Sequence, residues 1–530
     1  MEEVFDFIVI GSGFGGSVSA LRLAEKGYRV CVLEAGKRWR PEDFPKTNWD
    51  VKRFLWAPAF GCHGIQRIWL LKDFMGLGGA GVGGGSLNYA NVLMEPLPPF
   101  FRDPQWVDLD PDWQKTLEPH YRMAKKMLGV AQFPKESEAD KVLKEYAADI
   151  GRSDHFTPTQ VGVFFGDPNV TVPDPYFDGQ GPARTGCDFT GGCMIGCRAG
   201  GKNTLDKNYL YLAEKLGVQI VPETLVTAIR PDGDQGYFIE SRRATAAFAR
   251  DQKVWRAKQV VVSAGTLSTL KLLLHCKEMG YLPKISDRLG YKFRTNSEVL
   301  TGMRALDKNK KFCDGVAITS YLNVNDSTSI EVTRYPEGSD VMGFLAQPLT
   351  DSGTKWTRPL KFFWTCLTHP THFLRSLWVP GWAKSTIILL VMQVFDNGLR
   401  IRLKRSWLMP WRKHLASETP EGGIPTYIPE ANHAARAVAK KIGGIPQGAV
   451  SEVLLNRPLS AHMLGGCPIA SGPEHGVVDK FGHVFGYRGL YVVDGSNMPA
   501  NLGVNPSLTI TAIAEHMMSA VPPKGTGAVS

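Results

Sequence analysis

The sequence predicts a mixed α/β fold in which a Rossmann-like, doubly wound unit is assembled from discontinuous pieces of a 530-residue chain. Three observations predict it. Residues 5–10 form an apolar, β-rich run that passes directly into Gly11-Ser12-Gly13-Phe14-Gly15-Gly16, then a helical pattern through Ala24 and a second strand-like run over 28–33 that ends at Glu34. Residues 259–263 form another strand, followed by Ala264-Gly265-Thr266 and a helical pattern to Leu274. Residues 489–494 read as a strand closing on Asp494-Gly495-Ser496, and Asn505-Pro506-Ser507 opens a helix that continues past Met517.

Strand, glycine turn, helix, strand and acid, in that order, are the context in which a Gly-x-Gly-x-x-Gly turn binds a dinucleotide. Gly11 permits the tight turn, Gly13 lets the backbone approach a pyrophosphate, and Gly16 lets helix and strand pack closely. Helix N-terminal amides then face the phosphates, and Glu34 can accept from a ribose hydroxyl. A second glycine cluster occupies seven of the ten positions 76–85 and ends at Ser86. Leu77 and Val82 punctuate it and Leu87-Asn88-Tyr89 follows, which favours close backbone approach to a bulky planar or phosphate-bearing ligand over a flexible linker.

The intervening stretches, 100–184 and about 290–455, are richer in Pro and Trp. Within them residues 329–333, 341–345 and 386–394 read as strands of a separate sheet, the natural place for a substrate. Residues 359–382 mix Phe362, Phe363, Trp364, Leu374, Leu377 and Trp378 with Lys361 and Arg375. That pattern fits a membrane interface, an apolar lid, or core packing with a solvated basic edge.

Composition narrows the class. With 43% apolar and 21% charged residues the chain is neither collagenous nor disordered. Lys plus Arg exceed Asp plus Glu by 61 to 51, a net charge of +10 that is modest for this length and is no argument for nucleic acid. No apolar run reaches a membrane span, and the N-terminus reads as a strand after Glu2 and Glu3, not as a standard signal peptide. A cytoplasmic protein, with membrane association left open, is the expectation. Nine cysteines, an odd number, fit a reducing compartment. Three of them, Cys187, Cys193 and Cys197, share one glycine-bearing stretch; such thiolates could hold a soft metal, and buried thiols are the alternative.

Taken in order, Gly11 to Gly16, Glu34, the loop from Gly78 to Asn91, Val260-Val261-Val262-Ser263-Ala264-Gly265, His462 with Leu464-Gly465-Gly466, Tyr491 to Ser496, and Gly503-Val504-Asn505-Pro506-Ser507 resemble the glucose-methanol-choline (GMC) oxidoreductases. The likeness covers nearly the whole chain and is close to the bacterial cholesterol oxidase-like branch. It implies noncovalent FAD, held by Gly11, Gly13, Phe14, Gly15, Gly16, Glu34, Gly83, Gly84, Gly85, Ser86, Asn88, Asn91, Val226, Asp494, Gly495 and Pro506. It also implies an FAD-binding domain in three parts (1–99, 185–289, 456–530) and a substrate domain in two (100–184, 290–455), the latter built on a mainly antiparallel sheet with helices. The implied reaction is oxidation of a sterol or bulky lipid alcohol, with dioxygen as acceptor and hydrogen peroxide as product.

Moving a hydride from a carbinol carbon to a flavin requires the hydroxyl proton to leave, so a base and a polar group must reach the oxygen. In the family a His and a nearby Asn take these roles, and the matching positions are His462 and Asn505. Glu331 matches a carboxylate that assists deprotonation and moves a proton during double-bond isomerisation. Alternation places it opposite Ile330 and Val332, which is consistent with a buried cleft; a solvent-facing strand acid is the alternative. The spacing of Cys187, Cys193 and Cys197 resembles the iron-sulfur site of some flavin dehydrogenases in the same superfamily. The second expectation is therefore an alcohol dehydrogenase passing electrons through a cluster to a protein or quinone.

Overall fold

Val4–Ile10 is buried from Phe5 onward because it lies inside a sheet and not at its edge. The computed structural model, which describes residues 4–246, 251–405, 413–419 and 423–526, places it in a seven-stranded sheet. The order is Gln219–Val221, Val30–Leu33, Val4–Ile10, Lys253–Val262, Tyr237–Arg243, Thr224–Pro231. The first four strands run parallel, the last two return antiparallel, and Leu490–Val492 pairs in parallel with the end of Lys253–Val262. Parallel neighbours require a crossover, and the helix Phe14–Glu25 makes the first one, burying Val18, Leu21 and Leu23 in the core shared with the sheet.

The C-terminal helix Ser507–Ser519 is tied to that crossover by a bidentate ion pair. Arg22 donates from Nε and Nη2 to the two Glu515 oxygens at 2.7 and 2.8 Å, and Tyr209 Oη donates to the same carboxylate at 2.6 Å. Early, middle and late stretches of chain thus meet at one buried acid. Their closest meeting is backbone on backbone. Gly11 has a φ of 98°, and a Cβ on it would lie 2.3 Å from Ser263 O; on Gly15 it would lie 1.9 Å from Val493 O, and on Gly16 2.1 Å from Gly11 O. The roles expected of Gly11 and Gly16 follow directly from these approaches.

A second seven-stranded sheet is antiparallel throughout, in the order Ala346–Pro348, Gly444–Ala449, Val299–Ala305, Thr386–Gln393, Thr328–Thr333, Ile318–Asn325, Phe156–Pro158. Alternation sorts its faces. Ile330, Val332, Leu389 and Val391 join a core with residues of the helices Glu138–Asp149 and Pro429–Lys441. Thr333, Ile388 and Leu390 point the other way and line a cavity between the sheets.

One expected strand is corrected. Val341–Leu345 is a turn of 3₁₀ helix: Gly343 N donates to Asp340 O, while the Asp340 carboxylate accepts from Gly381 N and Ala383 N and draws the loop inward. Only Ala346–Pro348, just beyond, pairs as an edge strand. A five-residue apolar run carries no period that separates these outcomes. Among the described residues no helix is long and apolar enough to cross a membrane.

The backbone junction predicts opposite outcomes at two neighbouring glycines. In protein stripped of any bound ligand, Gly15→Ala should lower the unfolding free energy by ~1–3 kcal/mol, the usual cost of overpacking. Gly13→Ala, whose Cβ meets no protein atom within 4 Å, should stay within ~0.5 kcal/mol of the parent. Urea denaturation followed by circular dichroism measures both.

Candidate active site

The first glycine turn forms one end of the cavity, where Gly11, Ser12, Gly13, Phe14, Gly15 and Glu34 line the wall. A Cβ on Gly13 would project into free space, and a Cβ on Gly84 would come within 2.6 Å of Gly13 Cα. The two glycine-rich turns therefore lie against each other, and Gly84 and Gly85 contribute to the same wall. Backbone bared in this way, at the N-terminus of a helix, fits the pyrophosphate of a dinucleotide.

Glu34 is buried and already anchored: Oε2 accepts from Ser12 N at 3.0 Å and Ser12 Oγ at 2.7 Å, and Oε1 accepts from Gly36 N at 2.8 Å. Its carboxylate shapes the turn as well as lining the cavity. Asp494 is held likewise, Oδ2 accepting from Gly265 N at 2.9 Å and Thr269 Oγ1 at 2.6 Å, and Oδ1 from Ser496 N at 2.8 Å. Burial pushes its carboxyl up against these hydrogen bonds. Asn88, Val226, Gly495 and Pro506 line the cavity, Val226 from a β-bulge before Ala228. Gly16, Gly83, Ser86 and Asn91 lie behind the lining; Ser86 Oγ donates to Gly83 O at 2.7 Å and accepts from Leu205 N at 3.0 Å, which fixes the loop.

Toward the antiparallel sheet the wall turns apolar, with Leu300, Ile318, Tyr335, Leu345, Ile388 and Leu390. His462 and Asn505 stand there together, the Asn505 carboxamide 3.4 Å from His462 Nε2. Glu331 has no exposed surface and lies directly behind Asn505, whose amide nitrogen, with the carboxamide turned to suit, donates to its two oxygens at 2.7 and 3.0 Å. Burial pushes the Glu331 carboxyl up to about 8, opposed by the Asn505 hydrogen bond and reinforced by the charge of Glu298. The three residues expected from the sequence are thus brought together, with Glu331 covered by Asn505.

Sequence reasoning missed two charged residues, one beside His462 and one on the cavity wall near Ser268. Glu298 is buried, accepts from Ala461 N and touches His462 Nδ1. Arg67 lines the cavity, its guanidinium 4.2 Å from the centre of the Trp69 ring, and burial pushes it down to about 10. Neither sits in a recognisable motif: Glu298 ends a polar run before a strand, and Arg67 alternates along one.

The expected metal centre is corrected. Among the described residues no three His, Cys, Asp or Glu side chains are placed to share a metal ion. Cys187 and Cys193 pack with Val161, Val163 and Val316, and burial pushes both thiols up, away from the thiolate that iron or zinc requires. The Cys193 carbonyl accepts from Lys202 Nζ at 2.7 Å, an ammonium that also donates to Leu87 O and Tyr89 O. The stretch braces the glycine loop, and its geometry lends an iron-sulfur cluster no support.

Comparison with known proteins identifies the family to which the chain belongs. Residues 183–277 and 434–514 match the GMC oxidoreductase family, and residues 6–41 match the FAD binding domain family. A cholesterol oxidase of Mycobacterium tuberculosis (strain H37Rv) is 48% identical over 99% of this chain and 92% of its own length. A cholesterol oxidase of Acinetobacter baumannii is 44% identical over 98% of this chain and 95% of its own. Pyridoxine 4-oxidase from Mesorbium loti superposes with a TM-score of 0.62 at 16% identity, covering 97% of this chain and 98% of that one, a likeness of fold.

The raised Glu331 carboxyl has a consequence for stability. A carboxyl that holds its proton more tightly folded than unfolded loses stabilising effect as pH rises from its ordinary value near 4.5 toward 8. Glu331→Gln, which cannot ionise, should therefore gain stability relative to the parent between pH 5 and pH 8. Urea midpoints of both proteins at the two pH values measure this; parallel changes would place the ionisation elsewhere.

Proposed function

The chain belongs to the GMC oxidoreductase family and is an FAD-dependent alcohol oxidoreductase, and on that premise we propose that it oxidises the 3-hydroxyl of a sterol to a ketone. The observation that carries the proposal is the polar group of His462, Asn505 and Glu331 at the apolar end of a cavity whose other end is the dinucleotide turn. Identity of 48% and 44% to proteins described as cholesterol oxidases supports the choice of a sterol over other bulky alcohols.

In this reading the bared glycine backbone at Gly13 and Gly84 receives the pyrophosphate, Glu34 the ribose, and the apolar wall the steroid rings. FAD, when bound, would supply the acceptor for the carbinol hydride and the route by which the electron pair reaches dioxygen, alcohol and oxygen together giving ketone and hydrogen peroxide. His462 Nε2 takes the hydroxyl proton, and Asn505 holds the oxygen. For a 3-hydroxy-5-ene sterol, Glu331 then removes the C4 proton of the ketone and returns it at C6, shifting the double bond into conjugation. Because Glu331 has no exposed surface, that step needs the Asn505 carboxamide to swing aside.

A membrane contact deepens the reading. The helices Thr357–Thr368 and Pro370–Leu377 expose Trp356, Leu360, Trp364, Leu367, Leu374 and Trp378, with Trp356 82% and Leu367 75% exposed. No acidic residue occurs between Asp351 and Asp396, whereas Lys355, Lys361, Arg375 and Lys384 do. Trp382, just past the second helix, lines the cavity. Such an apolar, basic face suits an anionic lipid surface that holds the sterol.

Two measurements test these assignments. His462→Ala should lower turnover by at least ~100-fold with flavin retained, and Glu331→Gln should let unconjugated ketone accumulate while hydride transfer continues; enone absorbance against flavin reduction in one sample separates the two, and equal enone from mutant and parent would move the second role elsewhere. Replacing Trp356, Trp364 and Trp378 together by Ser should abolish co-sedimentation with phosphatidylglycerol vesicles and leave turnover of detergent-dispersed sterol unchanged. Undiminished co-sedimentation would remove the lipid-facing role.

A further inference from the structure

We propose that Glu298 is the positioning residue for His462, holding the imidazole proton on Nδ1 so that the Nε2 lone pair faces the cavity. This rests on the reading of His462 as proton acceptor and adds what prepares it for that role. Glu298 is buried immediately before the strand Val299–Ala305, and its two oxygens have separate tasks. Oε1 accepts the backbone N–H of Ala461; Oε2 is buried without a hydrogen-bond partner among the described residues and lies against His462 Nδ1 at ion-pair distance. A buried carboxylate oxygen left without a donor is satisfied when the adjacent Nδ1 carries the ring proton and turns it toward Oε2.

A competing donor approaches Nδ1, the Asn296 Nδ2 at 3.5 Å. Its hydrogens have nearer acceptors in Val504 O at 2.9 Å and Met392 Sδ at 3.3 Å, which leaves Nδ1 to Glu298. At the other ring nitrogen the Asn505 carboxamide has two self-consistent settings. With Glu331 neutral, its hydroxyl donates to the Asn505 oxygen, and the Asn505 amide faces the Nε2 lone pair. With Glu331 ionised, the carboxamide turns over, donates to Glu331 and presents its oxygen to a protonated Nε2. Both settings keep the proton on Nδ1, facing Glu298. They differ in the Nε2 proton, the one a base must gain and lose.

The turn that carries Glu298 is shaped for placement. Asn296 and Ser297 both adopt left-handed φ, 57° and 43°. Asn296 Oδ1 accepts from Leu502 N at 2.9 Å and Gly503 N at 3.1 Å, so the same turn steadies the approach to Asn505 while Glu298 steadies His462.

The test begins with the unaltered holoenzyme. Nitrogen-15 NMR of histidine-labelled protein, with the His462 signals identified by their loss in His462→Gln, should show Nδ1 protonated; a ring protonated on Nε2 alone would overturn the proposal. Glu298→Gln has one acceptor oxygen. Once that oxygen takes the Ala461 N–H, its amide faces Nδ1, so the tautomer should invert. Turnover should then fall at least ~100-fold, with flavin content kept and KM within about threefold of the parent. Retention of the Nδ1 proton in Glu298→Gln, or parental turnover, contradicts the assignment. Glu298→Asp keeps two acceptors and should keep the Nδ1 tautomer and recover part of the turnover, which decides the matter if the Gln variant does not fold; an inverted tautomer there also contradicts it. The spectra need no substrate, so a protein that oxidises no sterol would leave this inference standing on its own result.

Discussion

Everything about the cavity depends on backbone pressed against backbone at the top of the parallel sheet. Gly11 against Ser263, Gly15 against Val493 and Gly16 against Gly11 bring early, middle and late chain together at distances no side chain tolerates. The strand Lys253–Val262 lies at the centre of this meeting, with Val4–Ile10 on one side and Leu490–Val492 on the other. That closeness sets the position of Asp494, Gly495 and the segment leading to Asn505, so the catalytic end of the cavity inherits its geometry from the dinucleotide end.

The polar group at the far end is likewise a shared construction. His462 comes from the late part of the chain, Glu331 from the antiparallel sheet, and Glu298 from the turn entering that sheet. None has meaning alone: burial pushes the Glu331 carboxyl up to about 8, and the Asn505 carboxamide faces it as acceptor when it is neutral and as donor when it is ionised. Two carboxyls of different character around one imidazole, one fixing its tautomer and one sensing its proton, give the site a defined resting state.

Much of this was legible in the sequence, for physical reasons that differ by element. The glycine turn was readable because strand, turn, helix, strand and acid follow one another in one short stretch, although the approaches that demand glycine at 11 and 15 come from Ser263 and Val493. The placement of Glu331 was readable because a strand has a period of two, and Ile330 and Val332 do pack on the opposite face from the cavity. Val341–Leu345 was not, since Asp340 and its partners in a distant loop decide its conformation. Glu298 was invisible for the same reason: its importance lies in meeting Ala461 and His462, residues far along the chain. The cysteine stretch offered two readings because spacing reports proximity and says nothing of burial; burial pushes the Cys187 and Cys193 thiols up, which favours buried thiols. Residues 359–382 offered three readings that composition cannot separate; Phe362 and Trp382 do pack inside, whereas Trp364, Leu367, Leu374 and Trp378 are exposed, so core packing accounts for part of the stretch only.

The most direct test of the central claim is an anaerobic titration of the purified flavoprotein with a 3-hydroxy-5-ene sterol, followed by air. The account predicts stoichiometric bleaching of the flavin by the sterol, then full return of the oxidised spectrum with an equivalent of hydrogen peroxide on admitting oxygen. Flavin that stays oxidised with the sterol but is bleached by an unrelated alcohol, or reduced flavin that persists in air, would contradict it.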